Sequence, residues 1–193
     1  MRSFASTSCP AVYSPVACIQ LTLKTAREQA FPLDRLIFEI TEAEKVQDRQ
    51  HVLHIMEEYH RHGFQVALDD FGAGYSGLNL FAELTPDILK LDMDLTRNVH
   101  LRPIALAIVR SLVQLCSSFN VALVAEGVET IEEYATLRAS GIKLMQGYLF
   151  AKPAFEELPS FSIPGDNQIL ASVSAIPSSA AAFVILSKSE MAA

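Results

Sequence analysis

Five short apolar runs, each carrying a charged or amide side chain toward its C-terminal end and each linked to the next by an amphipathic stretch, leave this chain few architectures to adopt. The runs are Leu36 to Ile40, Val66 to Asp70, Ile88 to Met93, Val121 to Ala125 and Leu144 to Phe150. Their length and flanking turn residues predict strands. The periodicity predicts helices over Asp48 to His62, around Leu78 to Leu84, from about Pro103 to Ser118 and over Ile131 to Arg138, with an earlier one opening near Ser14 to Ile19. Pro103 sits in a first turn, where its missing N–H costs nothing, and Gly141 lies just past a helix end. Strands that are apolar on both faces and joined by helices need a parallel sheet covered on each side. That leaves a doubly wound sheet or a (β/α)8 barrel.

The polar residues choose between the two. Glu39, Asp69 with Asp70, Lys90 with Asp92, Glu126 and Gln146 mark five successive strand ends. In a barrel those ends converge on one mouth, whereas in an open sheet they are strung along an edge, so the barrel is favoured. Each residue has a plainer reading by itself: Lys90 as a rim lysine, Glu126 as a salt-bridge partner, Gln146 as a hydrogen-bonded strand end, Asp70 as a helix cap. Asp69 and Asp70 carry the most information, because they end an apolar strand just ahead of the glycine-rich loop Phe71 to Gly77. At a strand terminus the second carboxylate can turn into the loop, so that both approach one hard cation. Asp before Gly is also ordinary turn chemistry.

Half of the 193 residues are apolar, enough for a real core, and no apolar run approaches the length of a membrane span. The start has no signal-peptide pattern, and Cys9, Cys18 and Cys116 fall at unrelated spacings, so a cytoplasmic protein without a zinc site or disulfide framework is expected. Cys116 reads as core. A net charge of −7 argues against binding a nucleic-acid polymer, yet it accommodates a small phosphate ligand if metal ions supply the positive charge.

The segments Phe38-Glu39-Ile40-Thr41-Glu42, Asp69 to Leu78, Leu89-Lys90-Leu91-Asp92, Ala125 to Thr130 and Gln146 to Pro153 resemble, in order and spacing, the EAL family of cyclic-di-GMP phosphodiesterases. The resemblance runs from about Ala11 to Pro153. It implies a barrel of the triosephosphate-isomerase type and metal-assisted hydrolysis of cyclic-di-GMP to linear pGpG. By resemblance Glu39 and Asp69 bind one Mg2+ or Mn2+ ion, Asp69 bridges to a second, and Asp70 completes that second site. Lys90 then orients the attacking water, Glu126 holds that water and acts as its base, and Gln146 lies by the substrate or the metal shell. Glu42 anchors the glycine loop, and Glu129 helps shape the same rim. A homodimer and an upstream sensor module also follow from the resemblance. Tyr148 and Phe150 are candidates to stack on guanine, with core packing as the competing reading.

The family's opening Glu-Ala-Leu strand and the asparagine of its next strand have no counterpart ahead of Glu39. The expectation is therefore a barrel incomplete at its N-terminus, over residues 1–153, followed by a Ser-, Ala- and Pro-rich extension over 154–193. Two readings compete with hydrolysis: a degenerate domain that binds the dinucleotide or a protein partner without cutting it, and, more remotely, an unrelated α/β metal-dependent phosphatase.

Overall fold

The computed structural model describes residues 15–41, 49–74 and 77–152. Glu42, Cys9 and the 154–193 extension lie outside these residues. Five parallel strands, β1 (Ile37–Thr41), β2 (Gln65–Phe71), β3 (Ile88–Leu91), β4 (Ala122–Ala125) and β5 (Leu144–Met145), stand side by side in sequence order. A doubly wound sheet reverses its strand order at a switch point, and this one does not. The wall is that of a barrel. Among the described residues six α-helices accompany it: α1 (Pro15–Glu28), α2 (Arg49–Arg61), α3 (Gly77–Leu84), α4 (Met93–Thr96), α5 (Pro103–Ser118) and α6 (Ile131–Ala139). No helix among the described residues is long and apolar enough to cross a membrane.

Strand alternation sorts the side chains into two layers. Phe38, Ile40, Val66, Leu68, Leu89 and Leu91 join the large core shared with the helices, where Phe38 stacks on Tyr59 with ring centroids 4.1 Å apart. Ile37, Ala67, Ile88 and Val124 form a second, smaller cluster with Ala122 and Leu144. Two residues further on come Glu39, Asp69 and Lys90 within their strands and Glu126 and Gln146 just past the ends of theirs. An apolar floor therefore lies directly beneath a polar layer.

Two expected strands end early. β3 stops at Leu91 because the Asp92 carboxylate accepts the Asp94 N–H at 2.7 Å and caps α4, a helix the apolar run concealed. β5 stops at Met145 because the chain then wraps around Val128. The Val128 N–H donates to the Gln146 carbonyl at 3.0 Å, and the Leu149 N–H donates to the Val128 carbonyl at 3.1 Å. This crossing requires Gly147: a Cβ there would sit 2.1 Å from the Val128 carbonyl oxygen and 2.4 Å from its nitrogen. Backbone cannot swing aside as a side chain can. Gly147→Ala is expected to destabilise by about 1–3 kcal/mol, whereas Gly63→Ala, strained at φ 84° but with nothing within 4 Å, should cost less. Denaturant melts of the two variants check the difference.

Candidate active site

Asp69 and Asp70 are neighbours, and regular alternation would send them to opposite faces of β2. The pairing with β3 shows how this is avoided. Between Leu68 and Phe71 three steps of β2 are matched by the two steps from Leu89 to Leu91, so β2 carries a bulge. Within it Asp70 adopts a left-handed φ of 55°, a conformation that Asp tolerates better than most residues. As a result, carboxylate oxygens of Asp69, Asp70 and Glu126 all lie within 4.8 Å of one another.

Lys90 lies at the centre of the polar layer, with its side chain only 3% exposed. Its Nζ is 2.8 Å from Asp69 Oδ1, 2.9 Å from Glu39 Oε1 and 2.8 Å from Glu126 Oε1. Only the contact to Asp69 has hydrogen-bond alignment, and that same oxygen accepts the Asp70 N–H at 3.0 Å. The other two are ion pairs by distance, leaving Glu39 Oε1 and Glu126 Oε1 buried without an aligned donor among the described residues. Gln146 Oε1 is in the same condition. A buried acceptor without a donor costs about 1–3 kcal/mol, so Gln146 Oε1, beside a layer in which one ammonium serves three carboxylates, calls for a partner that accepts oxygen lone pairs. Carboxylate and amide oxygens suit Mg2+ or Mn2+, and the donor set fits such ions.

The charge balance agrees. One ammonium faces three carboxylates. Burial works against the charged form of Lys90, but attraction to Glu126, Asp69 and Glu39 overcomes it and raises the pKa above its usual value. For Glu126, burial pushes the carboxyl up to about 7 despite the opposing pull of Lys90, and the negative charges of Asp69 and Glu39 add to the rise. A carboxyl whose folded pKa lies above its unfolded value favours the folded state below the unfolded value, here 4.5, and loses that contribution as pH climbs through about 7. In chelator, stability is therefore expected to fall between about pH 5 and 8, and Glu126→Gln should flatten that slope in denaturant melts.

The remaining predicted residues are placed elsewhere. Asp92, grouped with Lys90 on sequence, is the α4 cap. Glu129 makes a two-pronged pair with the Arg97 guanidinium, both distances 2.8 Å. Phe150 packs edge-on against Tyr134 and belongs to the core, whereas Tyr148 is 57% exposed with the Lys152 ammonium 5.7 Å over its ring. Sequence reasoning passed over Thr96, whose buried hydroxyl donates to the Glu126 carbonyl at 2.6 Å, and Glu133, whose carboxylate is 1% exposed. The spacing from Thr130 to Glu133, a capping-box signature, was the available signal for the latter.

The sequence profile of the EAL domain matches residues 7–153. The chain belongs to the EAL domain family. This EAL domain is 39% identical over 115 residues to the cyclic di-GMP phosphodiesterase PdeR of Escherichia coli (strain K12), a match covering 60% of this chain and 17% of PdeR. Among solved structures, a standalone versatile EAL protein from Vibrio cholerae O395, in its c-di-GMP-bound form, superposes with a TM-score of 0.76 at 48% identity. That match covers 80% of this chain and 65% of the Vibrio one. Klebsiella pneumoniae BlrP1, as a manganese/cyclic-diGMP complex at pH 9.0, gives a TM-score of 0.69 at 36% identity, over 72% of this chain and 35% of BlrP1. The EAL domain described here thus spans less than two thirds of each of these proteins. Its fold is the α/β, TIM-barrel-like fold of the family.

Proposed function

We propose that this EAL domain hydrolyses one phosphodiester bond of cyclic-di-GMP to give linear pGpG, using Mg2+ or Mn2+. The observation that carries the proposal is the convergence of Glu39, Asp69 and Glu126 on Lys90, with buried oxygens of Glu39, Glu126 and Gln146 lacking aligned donors. The cyclic-di-GMP bound in the Vibrio and Klebsiella structures, and the manganese in the latter, support the same assignment. Glu39, Asp69 and Asp70 would hold the ions, with Glu126 and Gln146 completing the shell. Bound divalent cations neutralise the phosphodiester and lower the pKa of an attacking water. Lys90 orients that water through its ammonium. Glu126 takes the water proton as oxygen attacks phosphorus, the ester P–O bond breaks, and the released ribose oxygen is protonated from solvent.

Purified chain is incubated with cyclic-di-GMP and Mg2+ or Mn2+ and chromatographed for pGpG. Product that disappears both with chelator and in Glu126→Ala is the expected result. A folded chain that yields none would sink the hydrolase assignment and leave the dinucleotide receptor.

The same reading includes a cytoplasmic location and an upstream sensor module, the latter supported by the likeness to the blue light- and temperature-regulated antirepressor BluF of Escherichia coli (strain K12), 32% identical over 76% of this chain and 36% of BluF. It also includes a homodimer. Ile104 and Ile108, exposed on the first turns of α5, and Leu101 just ahead of it form an apolar patch that a second copy would cover. Sedimentation over a range of concentrations reads that association.

A further inference from the structure

A capping box needs only a reciprocal pair: the cap side chain on the backbone N–H three residues on, and that residue's side chain on the cap N–H. Thr130 and Glu133 make this pair, with Thr130 Oγ1 accepting the Glu133 N–H at 3.2 Å and Glu133 Oε2 accepting the Thr130 N–H at 3.1 Å. Glu133 does more. Its Oε2 also accepts the Glu129 N–H at 3.0 Å, and its Oε1 accepts the Asn98 N–H at 2.8 Å. Asn98 belongs to the segment that follows Lys90 and presents its N–H from a left-handed φ of 52°. Glu129 belongs to the loop that follows Glu126. One buried carboxylate therefore bridges the segments leading away from Lys90 and from Glu126.

Two neighbouring contacts run across the same seam. Thr96, fully buried, donates to the Glu126 carbonyl at 2.6 Å, and Arg97 pairs with the Glu129 carboxylate. Residues 96, 97 and 98 thus each bond across to the loop after β4 or to the helix it enters. The Arg97 pair is partly exposed and worth little alone. The Glu133 carboxylate is out of water and takes three backbone donors.

We propose that Glu133 is a positioning residue that locks the backbone after Glu126 to the backbone after Lys90, holding those two side chains in catalytic register. The inference rests on the phosphodiesterase reading for its consequence, but not for its geometry. Glu133→Gln tests it, because all three contacts are acceptances and an amide supplies only one oxygen. Whichever way the amide turns, its NH2 group faces a backbone N–H. Thr130→Ala is the control: it removes the cap acceptor and leaves the carboxylate bridge.

Amide exchange and function, the latter read as turnover and Mn2+ binding, separate the possibilities. Amide exchange in Glu133→Gln should accelerate at Asn98 and over Glu126 to Thr130, while Thr130→Ala should accelerate exchange chiefly at the start of α6. In turnover, Glu133→Gln should lower kcat on the order of ten- to a hundredfold with KM for the dinucleotide little changed, and weaken Mn2+ binding followed by electron paramagnetic resonance of the free ion. Thr130→Ala should lose thermal stability alone. The proposal falls if Glu133→Gln exchanges, binds and turns over as the parent does, or if Thr130→Ala reproduces its losses. Should the parent chain neither bind Mn2+ nor release pGpG, the phosphodiesterase reading fails, and the exchange arm still decides whether the bridge exists. If Glu133→Gln does not fold, Glu133→Asp, which keeps the charge but is too short to span both segments, takes its place in both readouts.

Discussion

Lys90→Met is expected to abolish pGpG formation and, in chelator at neutral pH, to destabilise the chain by about 3–5 kcal/mol, the usual cost of removing one partner from a buried ion pair. The side chain is 3% exposed, so solvent cannot replace what is lost, and Glu39, Asp69 and Glu126 would be left facing one another. The loss is present in full at neutral pH. A lysine pKa raised on folding contributes its whole stabilisation below the usual value of 10.5 and surrenders it only as pH rises through the higher folded one. Two conditions should rescue the fold without rescuing turnover. Acid should protonate the crowded carboxylates, and Mn2+ should take over the ammonium's electrostatic role. Thermal melts at neutral and acidic pH, with and without Mn2+, check this. A variant that melts with the parent in chelator would show that Lys90 does not hold the polar layer together.

Asp69→Asn separates folding from metal binding. Asp69 Oδ1 accepts from both Lys90 and the Asp70 N–H, and an amide oxygen can accept the same two bonds, so the bulge should survive. Removing one negative charge from a layer with three carboxylates and one ammonium should leave metal-free stability unchanged or raised. Divalent binding is another matter, because a neutral amide is a much poorer ligand and Asp69 is the residue expected to bridge both ions. The parent should gain about 2.7 kcal/mol from Mn2+ supplied at a hundred times its Kd, and Asp69→Asn close to nothing at that concentration. Turnover should fall on the order of a thousandfold, equivalent to about 4 kcal/mol of transition-state stabilisation. Equal Mn2+-dependent stabilisation in the two proteins would remove Asp69 from the ligand set.

What sequence made legible here was whatever depended on local pattern. α5 was expected over Pro103 to Ser118 and occupies those residues, since a first-turn proline and an unbroken apolar periodicity mark its span. Strand ends were harder. The apolar run from Leu144 to Phe150 reads as one strand, yet Gly147 and the Val128 backbone turn it after Met145, a contact between segments nearly twenty residues apart that no local window contains. Asp92, read as a charge at the end of the third strand, caps α4, a role that an apolar run continuing through Met93 conceals. The convergence of Glu39, Asp69, Lys90 and Glu126 was anticipated from their places at successive strand ends, which a barrel gathers at one mouth. The route by which Asp70 joins them was not, because a bulge is defined by the partner strand. Glu133 announced itself as a cap through its spacing from Thr130, but its reach to Asn98 depends on tertiary approach alone.

The bulge in β2 makes this strand sensitive to length as well as to residue type. Its one surplus residue lets a single strand deliver two adjacent carboxylates to the same side and then return Phe71 to the large core. Excising any one residue between Leu68 and Phe71 would absorb that surplus. The strand would regain regular pairing and one of its two acids would be lost or turned away, with the fold itself largely spared. In a deep scan of this gene, single-codon deletions at these positions should therefore separate abundance from function: protein accumulates while phosphodiesterase activity does not. Deletions earlier in β2, where Val66, Ala67 and Leu68 alternate between the two cores, should eliminate both.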